Sequence, residues 1–170
     1  ICTHTSNVFG YTLPMDEIAD VCRKRGIPLI VDASQSAGIQ PVSLSRWGAA
    51  YVAMPGHKGL YGPQGTGLLL CGEGQVPSPV MEGGTGSLSR QQEMPDFLPD
   101  RLEAGTQNIH GAAGLLAGIQ FVRALGLEEV RRRESRVIRV LADGLRGRPD
   151  YQIFADPRGE SSVLSVLPLH

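Results

Sequence analysis

The sequence has almost no net charge, little cysteine and no long apolar run, and each shortage removes a class of function. Sixteen Lys and Arg stand against 17 Asp and Glu, a formal net charge of −1 over 170 residues. No overall charge therefore draws the chain to nucleic acid or to an anionic membrane. The run Arg131-Arg132-Arg133 reads as a solvated helix face rather than a nucleic-acid patch. Cys2, Cys22 and Cys71 are odd in number and lack C-x-x-C spacing, which supports neither a disulfide framework nor a metal site. Cys22, on the apolar side of a helical pattern, and Cys71, at the end of an apolar run, read as small buried hydrophobes. Apolar runs such as Leu68–Cys71 fall far short of the roughly 20 residues that a membrane helix needs. The first residues lack the charged and apolar regions of a signal peptide. A cytoplasmic protein, with neither nucleic acid nor membrane as partner, is the expectation.

Glycine, by contrast, is plentiful: 22 residues, roughly twice ordinary usage, spread in turn-like clusters rather than as low complexity. The chain begins with Ile1 in what reads as a strand running into a loop. It stops after Val163–Leu167, which reads as a strand with nothing after it to pair with. Both ends look cut in mid-element, so a piece of a longer protein is expected.

Apolar spacing gives an α/β order. Leu13 to Arg25 places Met15, Ile18, Ala19 and Cys22 on one helical face, with Pro14 suited to the first turn and Gly26 to the stop. Ile27–Val31 and Ala49–Ala53 are short apolar runs of the kind buried on both faces of a parallel sheet. A weaker helical stretch lies between them, and Thr66–Cys71 reads as a third such strand. Residues 73–107 read as long loops, a length usually reserved for function. Ile109–Ala124 is a small-residue helix able to pack closely on a sheet. Leu127–Arg146 is an amphipathic helix with Val130, Val137, Ile138, Leu141 and Leu145 inward. Tyr151–Phe154 and Ser162–Leu167 read as strands of a smaller α+β unit.

Two places carry chemistry. Asp32 directly follows an apolar strand, where a carboxylate needs a partner and where open α/β sheets bind ligands; its bland reading is a cap on the next helix. Gln35 projects from the same loop. His57 and Lys58 directly follow the next apolar strand, flanked by Gly56 and Gly59, which allow a ligand close to the backbone. A partly desolvated lysine there can attack a carbonyl. The spacing is not that of a phosphate loop, because Lys58 precedes the later glycines instead of following them. An aspartate after one strand and a lysine after the next suit pyridoxal phosphate: the lysine forms the Schiff base, and the carboxylate keeps the ring nitrogen protonated.

Four stretches resemble, in order, the class V aminotransferases of fold type I, and within them the cysteine desulfurase and selenocysteine lyase branch. They are His4–Gly10, Val31–Gly38, Gly56–Gly67 and Arg101–Thr106. The resemblance implies the pyridoxal-phosphate-dependent transferase fold: residues 1–126 as part of the large domain, 127–148 as a connecting helix, and 149–170 as the start of the small α+β domain. It implies pyridoxal 5'-phosphate on Lys58, which also moves the proton at the substrate Cα. Asp32 would pair with the pyridinium nitrogen, Gln35 with the phenolic oxygen, and Asn7 would lie near that oxygen and the substrate carboxylate. His57 would help to hold the phosphate. Thr106 resembles a threonine that reaches the neighbouring subunit's phosphate, which implies a homodimer, and Glu82–Ser87 resembles a glycine-rich loop lining the same entrance. The implied activity is removal of sulfur or selenium from cysteine or selenocysteine to leave alanine, with a sulfur-acceptor protein as a further partner. Another class V aminotransferase or lyase is the alternative, as is a non-catalytic fragment. The family often carries a serine three residues before the lysine; Pro55 stands there in this chain, which redistributes the phosphate contacts. The phosphate-binding turn and stacking aromatic ring expected of the family would precede Ile1, and its nucleophilic cysteine and carboxylate-binding arginine would follow His170.

Overall fold

The computed structural model describes residues 1–88, 90–154 and 161–169. Its centre is a four-stranded sheet of β1 (Cys2–Thr3), β2 (Ile30–Asp32), β3 (Tyr51–Pro55) and β4 (Gly67–Cys71), in that order. The first three strands are parallel, with Thr3 opposite Asp32 and Asp32 opposite Ala53. The fourth runs antiparallel to β3, with Gly67 opposite Pro55 and Cys71 opposite Tyr51. Val31 and Val52 have no exposed surface; fully burying each such side chain is worth about 1.5–3 kcal/mol. Around them the core gathers Met15, Ala19, Leu29, Trp47, Met54, Leu60 and Leu115.

Helix α1 (Met15–Lys24) forms as its pattern predicts. Asp16 and Glu17 lie in the first turn and Arg23 and Lys24 in the last, each suited to its end of the dipole. Its buried side carries Met15 and Ala19, with Ile18 and Cys22 packed against the core. The weaker helical stretch before β3 is a run of turns ending in the one-turn α2 (Leu44–Trp47), capped by the Ser43 side chain. Helices α3 (Ile109–Leu125) and α4 (Leu127–Leu145) follow their predicted spans closely and meet at 86°. Among the described residues, no single helix is long and apolar enough to cross a membrane. The arginine run in α4 is tied to its own helix by Arg131–Glu128, Arg132–Glu129 and Arg133–Glu129 pairs. Hydrogen bonds from Arg132 and then Arg133 hold the Glu129 carboxyl at a pKa of about 2.

Several expectations are corrected. The strand at Leu68–Leu70 is not buried: these leucines are exposed because β4 is the edge of the described sheet, and Cys71 is only half-buried. Cys22 is also only half-buried, though it does touch the core. In α4, Val130 is buried as expected, but Val137 and Leu141 are exposed, because the core meets the first turn of the helix and not its second half. The two strands expected near the end of the sequence do form: β6 (Ser165–Pro168) pairs antiparallel with the preceding β5 (Tyr151–Phe154) in a separate sheet. These two strands hold the segment expected to open a smaller unit at 149–170, of which residues 155–160 and 170 lie outside the described ones.

Candidate active site

Parallel pairing fixes where the chemistry-bearing residues emerge. Each strand from β1 to β3 delivers its following loop to the same end of the sheet, the carboxyl end where open α/β folds bind ligands. Asn7 follows β1, Asp32 ends β2 with Gln35 just beyond it, and His57 and Lys58 follow β3. The strand ends are laced together there: His4 donates from its backbone to Asp32 O at 2.9 Å, and Ala33 to Ala53 O at 2.9 Å.

Asp32 caps no helix. Its Oδ1 accepts the Ser34 backbone N–H at 2.9 Å, a local turn that aspartate favours, and the segment beyond consists of turns. The carboxylate is exposed rather than buried, since β2 ends at this residue and nothing described covers the strand end. Lys58 is likewise exposed, as is His57. The expected partial desolvation of the lysine is not supplied by the described residues, because the loop stands at the rim of the sheet. Asn7 and Gln35, 28 residues apart in sequence, meet directly: Gln35 Nε2 donates to Asn7 Oδ1 at 2.6 Å. The Asn7 loop is itself tied by Ser6 N–H to Tyr11 O at 2.9 Å and Gly10 N–H to Ser6 O at 3.0 Å.

The lysine loop is closed by its own backbone. Gly56 N–H donates to Thr66 O at 2.8 Å, Gly62 N–H to Gly56 O at 2.7 Å, and Tyr61 N–H to Lys58 O at 2.9 Å. Glycine is required at these crossings. A Cβ on Gly56 would lie 2.1 Å from Thr66 Oγ1, and one on Gly59 would lie 2.3 Å from Ala37 O.

Thr106 lies just before α3. It is exposed, and its neighbour Gly105 donates to Gly84 O at 2.7 Å, so the threonine travels with the Glu82–Ser87 loop. Arg101 holds this region together by donating to Pro77 O at 3.1 Å and Pro95 O at 3.3 Å and pairing with Asp96 at 3.0 Å. The predicted residues thus fall into two groups: Asn7, Asp32, Gln35, His57 and Lys58 at the strand ends, and Thr106 beside the glycine-rich loop. Sequence reasoning assigned no separate role to Gly38, and placed Gly118 only among the small residues that let α3 pack closely on the sheet. Both press on the lysine loop, a contact that the sequence does not name.

The donor set at the strand ends suits pyridoxal phosphate. It comprises an amine for an aldehyde, a carboxylate for a protonated ring nitrogen, and paired amides for an oxygen, all reachable from solvent. None of the three cysteines belongs to it. Cys71 lies opposite Tyr51 at the remote end of the sheet, Cys22 lies in the last turns of α1, and burial pushes the Cys2 thiol pKa up.

Comparison with known proteins agrees with this layout. The family model described as aminotransferase class-V matches residues 1–167. A probable cysteine desulfurase of Xylella fastidiosa (strain 9a5c) is 33% identical over 169 residues, 97% of this chain and 40% of that protein. A cysteine desulfurase of Escherichia coli O8 (strain IAI1) is 33% identical over 169 residues, 96% of this chain and 41% of that protein. Among solved structures, the apo cysteine desulfurase of Thermococcus onnurineus NA1 superposes with a TM-score of 0.82 at 31% identity, covering 97% of this chain and 42% of that one. The chain therefore spans about 40% of the length of the curated relatives it matches, and the fold is the one that the resemblance implied.

Proposed function

Because the chain belongs to the class V aminotransferase family, we propose that it carries the Schiff-base lysine of a pyridoxal-phosphate enzyme that removes sulfur, or selenium, from cysteine or selenocysteine and leaves alanine. The observation that carries this reading is the emergence of Asp32 and Lys58 from adjacent parallel strands, beside the bonded pair Gln35–Asn7. The relatives named cysteine desulfurase support the choice of substrate.

In this reading Lys58 holds the cofactor through Nζ, and Asp32 keeps a proton on the ring nitrogen. Gln35 and Asn7 address the phenolic oxygen, with Asn7 also near the substrate carboxylate. His57 helps to hold the phosphate. When bound, pyridoxal phosphate supplies an electron sink for the charge left when the substrate loses its Cα proton. Lys58 Nζ is the group that would take up that proton and return it. Thr106 serves the phosphate of a neighbouring subunit, which makes the assembly a homodimer. The thiol that accepts the sulfur comes from outside these 170 residues, as does the arginine for the substrate carboxylate, and a sulfur-acceptor protein receives the product. The short apolar runs and free thiols support a cytoplasmic location.

The test is borohydride trapping of pyridoxal phosphate followed by peptide mapping. Modification concentrated on the Lys58 peptide, and lost in Lys58→Ala, is the expected result. Modification that persists unchanged in Lys58→Ala overturns the assignment. Asp32→Asn is expected to retain cofactor while lowering turnover of the active enzyme by orders of magnitude; near-normal turnover counts against its electronic role.

A further inference from the structure

We propose that Gly38, Gly59 and Gly118 form a backbone clamp that sets the position of Lys58, which makes them positioning residues for the proposed chemistry. The inference rests on the cofactor reading above and extends it to residues that touch neither cofactor nor substrate.

The geometry is unusually tight on two sides of one short segment. A Cβ on Gly38 would lie 1.9 Å from Gly59 O and 2.3 Å from Gly59 C, where real Cβ atoms essentially never come within 3.0 Å. The contact is reciprocal, since a Cβ on Gly59 would meet Ala37 O at 2.3 Å. The turn that follows Asp32 is thus laid backbone to backbone on the residue that follows Lys58. From the other side, a Cβ on Gly118 in α3 would lie 2.2 Å from Leu60 O and 2.8 Å from Tyr61 C. Between these two jaws the chain turns through Tyr61, whose φ of 56° is rare for a residue with a side chain. The Tyr61 ring rests 5.4 Å from that of Phe121, one turn along α3 from Gly118. Lys58 is exposed, so packing of its own side chain does not fix the amine. Its place relative to Asp32 is set through the backbone, and the clamp joins those two loops directly.

Such a device matters because reactive groups must be held within about 0.5 Å of productive geometry, and a shift of about 1 Å can cost a hundredfold in rate. A bulkier packing residue would seat the loop through rotatable side-chain atoms. Backbone seated on backbone leaves no such play.

These 170 residues hold two lysines, Lys24 and Lys58, and Lys24, exposed at the end of α1, serves as an internal reference. The experiment uses limiting pyridoxal phosphate, borohydride trapping and mass-spectrometric measurement of the Lys58:Lys24 labelling ratio. The cofactor's visible absorption maximum and the thermal midpoint are recorded alongside. Gly118→Ala adds one methyl group in a helix, where alanine is locally favoured, and is expected to lower the ratio about tenfold to a hundredfold and shift the absorption maximum. Gly144→Ala, in α4 with nothing within 4 Å, is expected to leave the ratio unchanged. Tyr61→Gly relieves the positive φ while removing the ring, and is expected to lower the ratio. Tyr61→Phe, which keeps the ring, is expected to restore it. If Gly118→Ala does not fold, the Tyr61 pair decides. A folded Gly118→Ala or Tyr61→Gly with the wild-type ratio and spectrum would overturn the clamp and leave the cofactor reading intact. Equal labelling of Lys24 and Lys58 in the wild-type protein would overturn the cofactor reading itself.

Discussion

The lysine loop at 56–66 and the long excursion at 77–107 are both rich in glycine and proline, yet they use glycine for opposite ends. Around Lys58 the glycines permit backbone to touch backbone: Gly59 and Gly62, and Gly38 and Gly118 beside them, each have a neighbouring atom within 3.0 Å of where a Cβ would stand. In the excursion, Gly84, Gly86 and Gly105 have nothing within 4 Å, and the loop is fastened instead by the Arg101 guanidinium. In the first loop, Gly65 apart, the glycines let backbone lie against its neighbours, and the second is organised around one side chain. A fixed amine needs the former. A segment proposed to meet a second subunit tolerates the latter.

That contrast can be broken from its strongest point downward. Gly38→Ala combines a backbone clash with a φ of +82° and is expected to destabilise by about 3 kcal/mol or more, read from denaturant unfolding. Arg101→Ala orphans the carbonyls of Pro77 and Pro95 at a cost of about 1–3 kcal/mol. Its signature is faster proteolysis confined to the excursion, and cleavage that begins instead at 56–66 contradicts the separation of the two loops. Gly105→Ala tests conformation without crowding: the φ of +91° is strained for alanine but the space is open, so about 1–2 kcal/mol is expected. Gly84→Ala faces neither obstacle, and a change within about 0.5 kcal/mol is expected. A Gly84→Ala cost comparable to that of Gly38→Ala removes the distinction altogether.

Asp32 and Lys58 were legible because each ends an apolar run, and the run itself announces both the strand and its carboxyl end. The helix α1 was legible because its spacing, end charges and terminal Pro14 and Gly26 all agree. The exposure of Leu68–Leu70 was not, since an apolar run reads the same at the edge of a sheet as at its centre. Nor was the exposure of Val137 and Leu141, because a helical stripe says which residues share a face but not how far along the helix a partner extends. Gln35 could be placed in the Asp32 loop from sequence, whereas its hydrogen bond to Asn7 spans 28 positions and depends on β1 pairing with β2.

By itself the sequence determined the α/β order, the strand ends that carry Asp32 and Lys58, and the family to which the chain belongs. These follow from local periodicity and from residue types at fixed spacing. Tertiary structure decided which glycines are contacts and which are turns, that the residue beside Thr106 is bonded to the Gly84 loop, and that β4 runs antiparallel at the edge of the described sheet. Each of these depends on what a distant segment places next to a residue, and the spacing of side chains along one strand or helix does not encode that.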